Sequence, residues 1–135
     1  MRDALTVSCN IFFYELSQRI GLDTLLEYEK AYGLGSPLGL ESGDSGGYLA
    51  CPETYEKLGI PWYVGDLLQA AIGQSEIQVT PLQMATVAST VANKGNRYRP
   101  HMIDSYWNNT MTEQFSEKEP EILYCSGMEM FPLRS

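Results

Sequence analysis

The sequence predicts a mainly α-helical fold that ends in a short β segment. Apolar residues recur at helical spacing near the N-terminus, where Phe12, Leu16 and Ile20 lie four residues apart, as they do on one face of an amphipathic helix. The sequence TPLQ at residues 80–83 places Thr, Pro and Gln where helix starts favour them. Residues 97–106 have the composition of a strand entered through a proline.

The N-terminal third of the chain predicts two consecutive helices. Residues 10–20 carry the first apolar stripe, with Asn10 as a plausible N-cap and Gly21 as the end of the helix. Residues 23–32 form the second helix, which Gly33 ends.

A long irregular stretch follows, at residues 35–61, where Gly, Ser and Pro are frequent. A loop of this length in a compact domain is expected to wrap a surface or to serve a site. A short helix at residues 53–58 interrupts it. Residues 66–72 form another short helix, and Gly73 releases the backbone into the next loop.

The helix at residues 81–92 has the strongest start signal of the chain. Thr80 is its N-cap, Pro81 its first residue, and Gln83 can return its side chain to the cap. Its remaining residues are mostly apolar on every side, which predicts a buried helix. After it, residues 122–125 are a weaker strand that pairs with the strand at 97–106, and residues 126–135 show no assignable pattern.

Composition limits the classes of function. The chain has 135 residues with 44% hydrophobic content, enough for one globular unit. A net charge of −8 argues against binding nucleic acid or an anionic membrane. Three cysteines without metal-ligand spacing predict neither a disulfide framework nor a zinc site, and no cofactor is predicted. No segment has the roughly 20 apolar residues that span a bilayer, and none is a signal peptide.

Residues 8–10 form the triplet Ser-Cys-Asn, which has two interpretations. Ser and Asn are both common at helix starts, so Ser8 and Asn10 can be capping residues. A Ser-x-Asn triplet is short enough to occur by chance, so a catalytic role for it needs support from the surrounding sequence. The residues alone favour capping.

Several longer matches surround this triplet: SCNIFFYEL, GDSGGYLACPE, AIGQ and TPLQ. Together these segments resemble the transpeptidase domain of a class B penicillin-binding protein, a peptidoglycan D,D-transpeptidase, and the resemblance extends from about Ala4 to His101. It implies an incomplete helical lobe of the α/β penicillin-binding, β-lactamase-like fold. We therefore expect residues 1–107 to be a partial transpeptidase domain, and residues 108–135 to be a weak β segment with an unassigned tail.

The resemblance also implies roles for individual residues. Ser8 would relay a proton between the active-site lysines and the leaving amine. Asn10 would orient the catalytic lysine and bind the amide of the substrate, which is a peptidoglycan stem peptide or a β-lactam. Gln74 is a weaker substrate-binding candidate, since a structural role in its loop is the better explanation. The parent enzyme would be extracytoplasmic and membrane-anchored.

Two motifs of class B penicillin-binding proteins are absent from this sequence. No Ser is followed three residues later by Lys, and no Lys is followed by Thr-Gly or Ser-Gly. The nucleophile motif, Ser-x-x-Lys, would lie upstream and Lys-Thr-Gly downstream, so we expect no activity from this chain alone. The strands that back the helical lobe are also missing. Apolar surface on the 81–92 helix should therefore be exposed or repacked, with self-association as a consequence.

Two alternatives belong to other classes. The first is a non-catalytic helical interaction module derived from the same lobe. The second is a trypsin-like hydrolase built on GDSGG at residues 43–47, with His101 as the base. One histidine and one GDSGG make a weak triad, and alternating strands are scarce.

Overall fold

The computed structural model describes residues 1–103, 105–107, 113–115 and 123–124. Over these residues the chain is rich in helix and has little strand, which confirms the predicted fold class. The helices are α1 (Arg2–Thr6), α2 (Asn10–Ala31), α3 (Pro52–Leu58), α4 (Val64–Ala70) and α5 (Pro81–Ala92), and the strands are β1 (Asn96–Arg97), β2 (Ser105–Trp107), β3 (Glu113–Phe115) and β4 (Leu123–Tyr124). The unassigned tail at 126–135 lies outside the described residues.

Helix α2 contains both of the helices predicted at the N-terminus. Gly21 interrupts it with non-helical dihedrals, φ 80° and ψ 166°, so the predicted break is confirmed. The prediction that Asn10 is the N-cap is wrong, because Cys9 takes that position and its carbonyl already accepts from the Phe13 N–H. Helix α1 has no counterpart among the predictions, since five residues are too few to show an apolar period.

The middle of the chain holds two short helices. Helix α3 confirms the helix predicted inside the long loop. Helix α4 begins two residues before the predicted start at residue 66, because the Asp66 carboxylate accepts from the Tyr63 N–H at 2.6 Å and so closes the first turn. Helix α4 packs against α2, and this contact brings the end of α4 towards the start of α2.

Helix α5 begins as predicted, but its buried side chains are polar rather than apolar. Thr80 and Gln83 form the reciprocal capping box, with Pro81 at the first helical position. The prediction that the helix is buried on all sides is wrong, because its buried positions are polar: Gln83, Thr86 and Thr90. The two threonine hydroxyls donate to carbonyls of their own helix, so they can be buried without an unpaired group. The apolar side chains of Met84 and Val91 are 52% and 49% exposed, in line with the exposed apolar surface expected on this helix.

The C-terminal strands form two small antiparallel ladders. Strand β1 pairs with β4 and β2 pairs with β3, so the predicted partner strand at 122–125 is confirmed at Leu123–Tyr124. The prediction of one continuous strand over 97–106 is wrong, because residues 98–103 belong to no strand. Pro100 has no N–H to donate, and the Met102 N–H donates to Glu41 instead of to a neighbouring strand.

Candidate functional site

The site is built from the turn between α1 and α2, where Ser8 lies. Two backbone hydrogen bonds close α1: the Ser8 N–H donates to the Leu5 carbonyl at 3.2 Å, and the Cys9 N–H donates to the Ala4 carbonyl at 2.9 Å. This pairing is the Schellman motif, and it places Ser8 in the left-handed region with a φ of 49°. Ser8 therefore occupies the position that glycine usually takes at a helix end.

The left-handed backbone conformation at position 8 is less favourable for serine than it would be for glycine. An L-residue in the left-handed region is disfavoured by roughly 1–2 kcal/mol, and strained polar residues of this kind cluster at functional sites. The turn itself makes no use of the serine hydroxyl, because its hydrogen bonds are made by backbone groups alone. The local structure thus explains the turn but does not explain why its left-handed residue is a serine.

Ser8 and Asn10 line one open cavity of about 330 Å³, formed where α1, α2 and the end of α4 meet. Both side chains are exposed, and neither has a hydrogen-bond partner among the described residues. Cys9, between them, is half-buried and does not line the cavity. The other lining residues are apolar: Leu5, Phe13, Ala71 and Ile72.

The arrangement suits recognition of a polar group in an apolar surround. A hydroxyl donates one hydrogen bond and accepts two, and a carboxamide both donates and accepts. Placed side by side on apolar walls, they can orient an amide and move a proton. The four apolar lining residues were not among the predicted site residues. Leu5 and Phe13 precede Ala71 and Ile72 by nearly sixty positions or more, and the packing of α2 against α4 brings the two pairs together.

Gln74 follows α4 and is two residues after Ile72, which lines this cavity. Its exposed side chain is not among the lining residues, while Ala71 and Ile72, just before it, form part of the wall. The Gln74 N–H donates to the Gln69 carbonyl at 2.9 Å, which ties the turn back to α4. The substrate-binding role of Gln74 stays a prediction.

The residues of the trypsin-like alternative make other bonds. The Asp44 carboxylate accepts from the backbone N–H groups of residues 38–40. The Ser45 hydroxyl accepts from the Gly47 N–H, and the His101 ring bonds to the Ile103 carbonyl. In the part of the chain that the structure describes, no hydrogen bond links the three side chains into a triad, and the Asp44 carboxylate serves to hold the loop.

Other ionisable groups lie away from the cavity. Burial raises the pKa of Glu29 to about 7, but Glu29 is near the far end of α2 from Asn10 and does not line the cavity. Within the described ranges, no three His, Cys, Asp or Glu side chains are grouped to hold a metal ion. Likewise, no described helix is long and apolar enough to cross a membrane.

Comparison with known proteins gives relatives of one kind. Peptidoglycan D,D-transpeptidase MrdA of Acinetobacter baumannii is 30% identical over 105 residues, which cover 76% of this chain and 16% of that protein. A structure of penicillin-binding protein A from Mycobacterium tuberculosis, a ceftriaxone acyl-enzyme complex, is similar with a TM-score of 0.73 at 25% identity, covering 91% of this chain and 26% of that one. Penicillin binding protein 3 from the same organism, complexed with aztreonam, matches with a TM-score of 0.70 at 27% identity, covering 86% and 24%.

The chain thus spans about a sixth of the length of the MrdA relative that it matches. The family model described as the penicillin binding protein transpeptidase domain matches residues 1–123. That match includes every described helix and the turn that carries Ser8 and Asn10. The chain belongs to the penicillin-binding protein transpeptidase domain family.

Proposed function

We propose that this chain supplies the Ser-x-Asn part of the active site of a peptidoglycan D,D-transpeptidase. In the complete enzyme, a serine of a Ser-x-x-Lys motif attacks the D-Ala-D-Ala bond of a stem peptide, and D-alanine leaves. An amine of a second stem peptide then takes the acyl group and releases the serine. A β-lactam imitates the first step, in which its ring amide bond opens as the acyl-serine bond forms. This is nucleophilic catalysis by an activated serine.

Ser8 and Asn10 have separate roles in this proposal. The Ser8 hydroxyl accepts a proton from one active-site lysine and donates one towards the leaving amine, which a hydroxyl can do without net change. The Asn10 carboxamide oxygen accepts a hydrogen bond from the lysine that activates the nucleophile. The carboxamide N–H donates one to the carbonyl oxygen of the substrate amide. Both roles require side chains that are free to bond to other groups. Among the described residues, neither the Ser8 nor the Asn10 side chain has a hydrogen-bond partner.

One observation carries the proposal: Ser8 occupies a left-handed position that glycine would fill at lower cost, and its unpaired hydroxyl opens on the cavity that Asn10 lines. A capping role for the triplet would place one of these side chains on a helix N–H, and neither helix start has such a bond. The geometry therefore favours chemistry over capping.

As a separate polypeptide, this chain is proposed to be inactive. The acyl-enzyme needs a nucleophilic serine next to a lysine, and this sequence has no Ser-x-x-Lys. The whole enzyme would act outside the cytoplasmic membrane, anchored to it, where its peptidoglycan substrate lies.

The proposal is tested in a graft. Residues 1–103 replace the matching segment of the Acinetobacter baumannii relative, which supplies the two missing motifs, and a fluorescent penicillin measures the rate of acylation. We expect the wild-type graft to be labelled and the 135-residue chain alone to remain unlabelled. Asn10→Ala should slow labelling by roughly 10- to 100-fold, as expected for losing a hydrogen bond to a charged group.

Ser8→Gly gives the sharpest comparison. It removes the hydroxyl and also relieves the left-handed strain, so the graft should melt at the same or a higher temperature while its acylation slows by roughly 100-fold. Ser42→Ala and Asn93→Ala, which remove the same groups at exposed positions away from the cavity, should label at the wild-type rate. A Ser8→Gly graft that is both well folded and fully active would refute the role of Ser8.

Self-association is proposed as a property of the chain alone. Met84 and Val91 are about half exposed on α5, and exposed apolar patches favour association. Sedimentation velocity should show dimers or larger species that a Met84→Glu, Val91→Glu double variant converts to monomer. A wild-type chain that stays monomeric over a hundredfold range of concentration would contradict this.

A further inference from the structure

The turn after α4 contains a second strained serine. Ser75 has a φ of 81°, in the region that disfavours any residue except glycine. Ser8, Ser75 and Lys94 are the non-glycine residues with positive φ among those described. Ser8 lies in the cavity, and Ser75 follows the cavity wall at Ile72 by three residues. Two of these three residues thus line the cavity or lie within three residues of its wall along the chain.

The Ser75 side chain has a partner that explains its conformation. Its hydroxyl forms a hydrogen bond with the phenol of Tyr55, which comes from α3, twenty residues earlier. The Tyr55 side chain is 4% exposed, and its ring packs edge-to-face on Trp62 with centroids 4.9 Å apart. A phenol at this depth needs a hydrogen-bond partner, and the ring contact holds it in place. Tyr55 is therefore a rigid anchor, and Ser75 is the group that it holds.

The anchored turn leads directly to the cavity wall. The N–H groups of Gly73 and Gln74 donate to carbonyls of Ala70 and Gln69, both at 2.9 Å, so the turn is bonded to the last residues of α4. Ala71 and Ile72, between these points, form the wall that faces Ser8 and Asn10. A shift of Ser75 would be transmitted over three residues to that wall.

We infer that Tyr55 and Ser75 are positioning residues of the transpeptidase site: their hydrogen bond holds the Gln74 turn and the Ala71–Ile72 wall against Ser8 and Asn10. The inference rests on the proposed function for its catalytic consequence, but its geometry can be tested on this chain alone. Neither residue touches the cavity, so both act through the wall.

The first experiment measures amide hydrogen exchange and the Ile72 methyl resonance by NMR in the 135-residue chain. Tyr55→Phe removes the phenol oxygen and keeps the ring contact with Trp62. It should speed exchange at the Gly73 and Gln74 amides by roughly three- to tenfold, the factor for one net hydrogen bond, and shift the Ile72 methyl. Ser75→Ala should do the same, and the double variant should add nothing further.

Ser75→Gly and Thr90→Val separate positioning from stability. Ser75→Gly removes the hydroxyl and the strain together, so it should melt above Ser75→Ala yet still show fast exchange at Gln74. Thr90→Val removes another buried hydroxyl, one that donates to the Thr86 carbonyl at 2.7 Å. It should lower the melting temperature and leave the Ile72 methyl unmoved. Unchanged exchange and methyl shifts in Tyr55→Phe, or equal changes in Thr90→Val, would overturn the inference.

The second experiment places the same variants in the graft. Tyr55→Phe and Ser75→Ala should slow penicillin acylation several-fold, while Thr90→Val should not. If the wild-type graft is labelled and these two variants are labelled at its rate, the positioning role is refuted and the proposed function stands. If the wild-type graft is not labelled, the proposed function fails, and the exchange measurement decides whether Tyr55 and Ser75 hold the wall.

Discussion

Gln83 makes the most demanding set of hydrogen bonds in the described chain, and its substitution gives a sharp prediction. Its side chain has no exposed surface. The amide oxygen accepts from the Thr80 N–H at 2.9 Å. The two N–H hydrogens of the amide nitrogen are shared among the carbonyls of Gly33, Ser36 and Gly46, which lie 3.1, 3.2 and 2.8 Å from that nitrogen. One side chain thus caps α5 and also closes the long loop onto it.

The two halves of this side chain can be separated by Gln83→Glu. A carboxylate still accepts from the Thr80 N–H, so the capping box survives. Its second oxygen, however, faces three carbonyl oxygens that have lost their donor. Each unsatisfied buried group costs about 1–3 kcal/mol, and the shared donor served three, so we expect a loss of roughly 3–5 kcal/mol. Thr80→Ala, which removes only the cap, should cost about 1 kcal/mol.

Urea unfolding followed by circular dichroism at 222 nm measures these differences. The Gln83→Glu penalty should shrink as the pH falls from 7 to 5, because a protonated carboxyl regains one donor and burial favours the protonated form. Gln69→Glu, on the exposed side of α4, is the matched control and should change little. A Gln83→Glu variant that is as stable as the wild type at pH 7 would show that the three loop bonds add nothing to stability.

Three further predictions follow from the fold. Since burial raises the pKa of Glu29 from 4.5 to about 7, the contribution of Glu29 to the unfolding free energy should be most favourable below pH 4.5 and fall as pH rises through 7, by about 1–2 kcal/mol after allowing for partial exposure. Glu29→Gln should abolish this pH dependence. Gly47→Ala would place a Cβ 2.0 Å from the Gln78 carbonyl oxygen. Gly43→Ala is the control, because φ is also positive there but no atom lies within 4 Å of the added Cβ. In urea unfolding, Gly47→Ala should lose at least about 2 kcal/mol more unfolding free energy than Gly43→Ala. Asp44→Asn should lose about 1–2 kcal/mol and speed exchange of the amides at residues 38–40, and unchanged exchange there would contradict the anchoring role of the carboxylate.

The start of α5 and the break at Gly21 were the parts of the fold that the sequence predicted best. A capping box, a proline at the first position and a glycine after the last turn act through groups within three or four residues, so TPLQ predicts the start of α5 without knowledge of its neighbours. The break at Gly21 follows in the same way. The Ser8-Cys9-Asn10 triplet was found by its surrounding segments, and the structure adds that Ser8 and Asn10 share a cavity while Cys9 does not.

The buried face of α5 could not be predicted from its sequence. Apolar composition suggested burial all round, whereas Gln83, Thr86 and Thr90 are the buried side chains. Each polar group is satisfied, two within the helix and one by carbonyls 37 to 50 residues away. A hydrophobicity pattern counts the polar atoms as a cost, but the cost vanishes when partners are present. Those partners belong to a distant loop, so only the tertiary structure reveals them.

In the candidate site, too, only the three-dimensional structure reveals which residues are unusual. Nothing in the sequence marks Ser8 or Ser75 as left-handed, because serine is acceptable in turns of many kinds. Once the backbone is known, each becomes informative, since glycine would fill either position at lower cost. At Ser75 the cost is offset by the bond to Tyr55. At Ser8 the backbone cost is offset by the two hydrogen bonds that close α1. The hydroxyl itself bonds to no described group, and only the proposed function gives it a partner, a lysine or the substrate of the complete transpeptidase.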